Sequence, residues 1–272
     1  MAGDILRDPL SLFDVSGKVV VITGASGALG RAAAIALGAV GARLLLVSGS
    51  ADSLAAVTAE VKEAGGEVAV LACRPDTQAD ADAIIGAADA AYGRVDSVLV
   101  ASGYNKPAPI EDMPYEDWQA IMDANVRGPW LMAKSFGRHL ASRAAAGAGG
   151  HGKLVLVSSV RGRHGSPAGY SAYCTSKGAV DSLTKTLATE WGPRGINVNA
   201  IAPTVFRSAL TEWIFADTEA GRASRERNYA RISLKRLGEP EDFIGIVLYL
   251  LSAASDFVTG QVIYVDGGYT AA

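Results

Sequence analysis

Cysteine and histidine are scarce in this 272-residue chain. The two cysteines, Cys73 and Cys174, have no metal-ligand spacing around them. That excludes a disulfide framework, and both thiols read as core or near-core groups of a reducing compartment. The three histidines, His139, His151 and His164, are scattered, so no metal is expected. Charge of neither sign is in large excess. A formal net charge of −3 gives no electrostatic reason to expect nucleic acid or an anionic membrane as partner. No apolar run reaches the ~18 residues of a membrane-spanning helix. The first residues carry acids and lack the apolar segment of a secretory leader. A cytoplasmic protein acting on a small molecule is therefore expected.

What is present is an alternation. Short, continuously apolar runs lie at 18–23, 43–47, 67–72, 97–101, 153–157, 197–201 and 261–265. Ala-rich helical patterns lie near 29–40, 52–64, 78–92, 115–142, 171–191 and 240–251. Runs without polar alternation suit strands buried on both faces, and the βαβ rhythm predicts a doubly wound parallel sheet. No composition shift marks a second domain, so 1–272 reads as a single domain with an N-terminal extension at 1–14. The stretch 144–152 reads as a surface loop. The segment 206–233 breaks the rhythm, and the wider 204–235 excursion reads either as a substrate lid or as a plain surface helix pair.

Two local patterns carry chemistry. The first apolar run enters Gly24-Ala25-Ser26-Gly27-Ala28-Leu29-Gly30 and then a helix. Glycines at such a turn let the backbone approach a pyrophosphate, whose charge the helix N-terminus favours. The second pattern is Tyr173-Cys174-Thr175-Ser176-Lys177, with Ser158-Ser159 upstream. At i and i+4 on a helix, phenol and ammonium share a face. A unit charge ~4 Å away at an effective dielectric of ~20 contributes about 4 kcal/mol. That is up to about three pKa units, which would bring the phenol from ~10 towards neutrality, where acid–base catalysis works best.

Taken together these segments resemble the short-chain dehydrogenase/reductase family. Thr23-Gly24-Ala25-Ser26-x-x-Leu29-Gly30 is similar to its cofactor motif, Tyr173-x-x-x-Lys177 to its catalytic motif, and Ser159 and Asn125 to its catalytic serine and asparagine. Asn199-Ala200-Ile201-Ala202-Pro203 and 260–268 are also similar to family segments, and the resemblance spans roughly residues 12–269. It implies a single-domain Rossmann-type fold and NAD(P)-dependent hydride transfer between nicotinamide and a secondary alcohol or ketone. Tyr173 would exchange the hydroxyl proton, Lys177 would lower its pKa and hold the nicotinamide ribose, Ser159 would bind the substrate oxygen, and Asn125 would hold a relay water. Cofactor contacts are implied for Gly24, Ser26, Gly27, Leu29, Gly30, Ser48, Ser50, Arg74, Gly103, Tyr173, Lys177, Pro203, Val205 and Ser208. Asp266-Gly267-Gly268 reads as a subunit-contact turn, and a homotetramer is expected through the two long helices and the last strand.

The chain departs from the family pattern at four points. Gly27-Ala28 displaces the middle glycine, and Val100-Ala101-Ser102-Gly103 replaces Asn-Asn-Ala-Gly. Arg74 stands where an Asp meets adenine, and Thr204 follows Pro203. No Asp ends the second strand, where Ser48 and Ser50 can donate to a phosphate. NADP is therefore favoured over NAD, with Arg31 and Arg74 as nearby cations. Arg161, Arg163, Lys106 and Arg207 are expected on the rim of the pocket and point to an anionic hydroxy or keto substrate such as a sugar acid. Two alternatives are a 3-oxoacyl-thioester reductase and a non-catalytic nucleotide-binding regulator on the same fold.

Overall fold

The computed structural model describes residues 5–167 and 169–271. Of the 1–14 extension, residues 1–4 lie outside the described residues, and Pro9–Phe13 form a single 3-10 turn. Seven parallel strands follow: β1 Val19–Thr23, β2 Arg43–Ser48, β3 Glu67–Ala72, β4 Ser97–Val100, β5 Gly152–Val157, β6 Ile196–Pro203 and β7 Val262–Val265. Their order in the sheet is β3-β2-β1-β4-β5-β6-β7. The order reverses between β1 and β4, which pair from Val20↔Ser97 to Thr23↔Val100. The strand ends at that reversal open a crevice where ligands bind in such sheets.

The helices are α1 Ala28–Ala39, α2 Ala51–Glu63, α3 Gln78–Tyr92, α4 Tyr115–Met122, α5 Gly128–Ala145, α6 Ser171–Trp191, α7 Glu212–Phe215, α8 Glu219–Arg231 and α9 Ile244–Leu251. The apolar runs are continuous because both faces of the sheet are covered. Val19 and Val21 of β1 join a cluster with Ile84 of α3, Phe136 of α5 and Val180 of α6. Val20 and Ile22 face the other way, against Leu37 of α1, Val57 of α2 and Val247 of α9. Alternate residues of one strand thus feed two cores.

The expected helix 115–142 is not continuous. A π-turn over Asp123–Arg127 separates α4 from α5, with the Gly128 N–H donating to the Asp123 carbonyl. Pro129 explains the break: it has no N–H for the Asn125 carbonyl and its ring crowds that group. The 204–235 excursion holds α7 and α8 over a third, small core of Val160, Ile214, Ile232, Leu237 and Tyr269. Among the described residues no helix is long and apolar enough to cross a membrane.

Candidate active site

The glycine turn sits at the end of β1. Gly24 has φ +69°, and a Cβ there would lie 2.5 Å from the Ser102 backbone nitrogen. A Cβ on Gly30 would lie 2.3 Å from the Gly24 carbonyl oxygen. Both positions therefore require glycine, because backbone occupies the space of a side chain. Gly27 caps α1 without a side-chain hydrogen bond, which leaves first-turn N–H groups open to an anion. Where the family braces the sheet with two amides, Ser102 and Thr23 hydroxyls bond at 3.2 Å.

The end of β2 is polar. Ser26 and Ser48 hydroxyls share a hydrogen bond of 2.7 Å, and Ser50 caps α2 by accepting from the Ser53 N–H. Arg74 reaches back from the end of β3 and lies on Gly49, where a Cβ would be 2.4 Å from its Nε. Arg31 is taken up elsewhere: its Nε donates to Glu60 at 2.7 Å.

Four candidate side chains converge past β4 and β5. Asn125, fully buried in the π-turn, accepts from the Tyr104 N–H at 2.7 Å and donates to the Tyr104 carbonyl at 2.8 Å and to Ser176 Oγ at 3.0 Å. It thereby ties the loop after β4 to α6. Lys177, 3% exposed, donates to the Val157 carbonyl at 2.8 Å, and its Nζ is 5.6 Å from the Tyr173 ring centre. Gly103 passes close by, with a Cβ there 3.7 Å from that Nζ. Ser159 favours the ionised form of the Tyr173 phenol, and its hydroxyl accepts from the Arg161 N–H at 3.2 Å.

The electrostatics depart from the sequence argument. Burial raises the Tyr173 phenol above its ordinary value, against smaller downward pulls from Ser159 and the charge of Arg161, so the expected fall towards neutrality is not seen. Lys177 is itself drawn down to about 8 by burial, with Asp181 opposing the fall. The lysine charge expected to depress the phenol is thus weakened by its own desolvation. Sequence reasoning missed Asp181. It accepts a 2.5 Å hydrogen bond from Ser158 and lies one helical turn beyond Lys177, a spacing that was visible in the chain.

The expected cationic rim is also partly neutralised. Lys106 pairs with Asp117 at 2.7 Å, and Arg207 with Glu239 at 2.9 Å and Glu212 at 3.4 Å. Arg161 instead lies 5.6 Å from the Tyr269 ring centre and Arg163 5.8 Å from that of Tyr264. Beyond Pro203, the Val205 carbonyl accepts from the Gly238 N–H at 2.9 Å, and the Ser208 hydroxyl bonds Thr211 at 2.9 Å.

A family model described as enoyl-(acyl carrier protein) reductase matches residues 24–270. The chain is 57% identical to an uncharacterized oxidoreductase of Mycobacterium tuberculosis, over 96% of this chain and 94% of that one. It is 35% identical to the gluconate 5-dehydrogenase of Gluconobacter oxydans, over 95% and 97%. Among solved structures, an Agrobacterium tumefaciens protein with bound NADP, provisionally assigned as a 2-deoxy-D-gluconate 3-dehydrogenase, superposes with a TM-score of 0.85 at 30% identity, over 96% and 99%.

Proposed function

The chain belongs to the short-chain dehydrogenase/reductase family of oxidoreductases acting on CH–OH groups, and from that premise we propose that Asn125, Ser159, Tyr173 and Lys177 are its catalytic set. The observation that carries the reading is their convergence: a buried lysine beside the phenol, an asparagine bracing the helix that bears both, and a serine hydroxyl that favours the ionised phenol. The glycine turn fits a dinucleotide, because Gly24 and Gly30 are packed against backbone and α1 opens without a side-chain cap. When bound, the nicotinamide supplies or accepts the hydride.

This chain's own residues handle the oxygen. Ser159 donates to the substrate oxygen and orients it. Tyr173 gives or takes the proton at that oxygen. Lys177 holds positive charge beside the phenol and binds the ribose hydroxyls. Asn125 holds the Tyr104 backbone against Ser176, which keeps the loop and helix in register, and carries the relay water the family pattern implies. Gly24, Ser26, Gly27, Leu29, Gly30, Gly103, Pro203, Val205 and Ser208 line the path of the dinucleotide in this reading.

NADP is the proposed cofactor. Arg74 lies over Gly49 beside Ser26, Ser48 and Ser50, so a cation and hydroxyls stand where a carboxylate would repel a 2′-phosphate. The proposed substrate is a hydroxy or keto compound bearing an acid group, such as a sugar acid. Arg161 beside Tyr173 supports it, as does the name of the gluconate-oxidising relative. The proposed assembly is a homotetramer in the cytoplasm.

The test is cofactor fluorescence on mixing, followed by near-ultraviolet absorbance of the reduced nicotinamide with panels of carbonyls and alcohols. Turnover with a preference for NADP is expected. Binding without turnover across the panels would support a regulator instead.

A further inference from the structure

Tyr269 is 2% exposed, and three basic groups surround it. Arg231, at the end of α8, lies 4.2 Å from its ring centre. Arg161, from the turn after β5, lies at 5.6 Å. His164 meets the ring edge-on at 6.2 Å between centroids. Lys106, Arg207, Arg31 and Arg236 each meet a carboxylate. Among the described residues Arg161 and Arg231 meet none, and they crowd one ring in a chain with more acids than bases. Asp266, the acid nearest in sequence, accepts instead from the Gly268 and Thr270 N–H groups and the Thr270 hydroxyl.

A second observation is independent of the charges. His164 Nε2 is buried and has no hydrogen-bond partner among the described residues. Such an atom is costly unless something fills the position beside it. Two guanidiniums against one aromatic ring, only one of which spends a donor on backbone (Arg161 Nη1 on the Gly165 carbonyl at 2.9 Å), and an unsatisfied imidazole nitrogen offer the donors that a planar oxyanion takes, since guanidinium and carboxylate match as a fork.

The receptor adjoins the reacting centre. Arg161 is two residues past Ser159, which accepts its N–H at 3.2 Å, and its charge bears on the Tyr173 phenol. Arg231 comes from the 204–235 excursion, so occupation would tie that segment to the turn after β5.

We propose that Arg161, Arg231 and His164, ranged around Tyr269, bind the carboxylate of the substrate and thereby select acids over their neutral forms. This rests on the oxidoreductase reading above. It differs from the sequence expectation by excluding Lys106 and Arg207, already neutralised, and Arg163, which lies against Tyr264, and by adding His164 and Arg231, which no local pattern marked.

The test compares four- to six-carbon hydroxy and sugar acids, D-gluconate among them, with their lactones or methyl esters. Arg231→Ala should raise KM for acids about tenfold or more, with kcat within about threefold and neutral substrates unchanged. Arg231→Lys should recover part of the loss, and cofactor Kd should not move. A turnover-free arm uses calorimetric titration of the same acids into cofactor-loaded Tyr173→Phe protein, with and without Arg161→Ala/Arg231→Ala. Binding of an acid that the double substitution abolishes is the expected result. Three results overturn the proposal: no acid binding, equal effects on acid and neutral forms, or an Arg231→Ala change confined to oligomeric mass. Absence of hydride transfer, with acid binding intact, would overturn the oxidoreductase reading alone.

Discussion

At the scale of single residues, the site sets function against stability. Lys177 is buried and its pKa falls from an ordinary 10.5 to about 8. At ~1.36 kcal/mol per unit, the charged lysine costs the fold about 3 kcal/mol. The cost is present in full below about pH 8, where folded and unfolded chains both carry the proton. Between about 8 and 10.5 the folded lysine has lost its proton and the unfolded one keeps it, so stability rises with pH. Lys177→Met should therefore stabilise the protein near pH 7 by about 2 kcal/mol, after ~1 kcal/mol is taken back for the hydrogen bond lost at the Val157 carbonyl. The gain should shrink towards pH 10 while activity is abolished. Urea unfolding at the two pH values measures it, and a destabilised Lys177→Met at pH 7 would contradict the reading. Tyr173 and Lys177 were legible because helical spacing alone aligns them. Asp181 carried the same helical spacing from Lys177 and was overlooked, whereas its bond to Ser158 and the contact of Arg231 with Tyr269 were not legible, because those partners lie on other elements and only the fold brings them together.

At the scale of elements, glycines fix where chain segments cross. Gly24 combines φ +69° with a Cβ position 2.5 Å from the Ser102 backbone. Gly24→Ala should cost on the order of 1–3 kcal/mol in strain alone, and it should weaken binding of both cofactors, read by thermal unfolding and fluorescence titration. Unchanged binding would separate the turn from the dinucleotide. Gly49→Ala acts differently, because the added methyl meets the Arg74 side chain rather than backbone. It should displace Arg74 and weaken NADP about tenfold with NAD nearly unaffected, as should Arg74→Ala. Equal losses for both cofactors would remove Arg74 from 2′-phosphate recognition. The inner strands β1, β2 and β4 were readable because their runs are almost wholly apolar, which burial on two faces demands, whereas β6 carries Asn197 and Asn199 and the edge strand β3 is only partly buried. The interruption between α4 and α5 was not read, although Pro129 announces it, because helical periodicity on either side hides one inserted residue.

At the scale of the whole molecule, α5 and α6 present a groove lined by Trp130, Gly137, Leu187 and Trp191. Trp130 is 46% exposed at its mouth, a large apolar group of the kind that marks contact surfaces. The proposed homotetramer should scatter light as a particle of about four times 28.0 kDa, and Trp130→Glu should shift it to smaller species; a stable 28.0 kDa particle at micromolar concentration would rule it out. The most direct measurement follows the reduced-nicotinamide absorbance with the carbonyl panel, for wild type and Tyr173→Phe side by side. Turnover by wild type is expected, with kcat lowered ~10²–10⁴-fold in the variant and cofactor Kd nearly unchanged. Wild-type turnover that Tyr173→Phe leaves within about threefold, or cofactor binding with no turnover of any substrate, would contradict the catalytic reading.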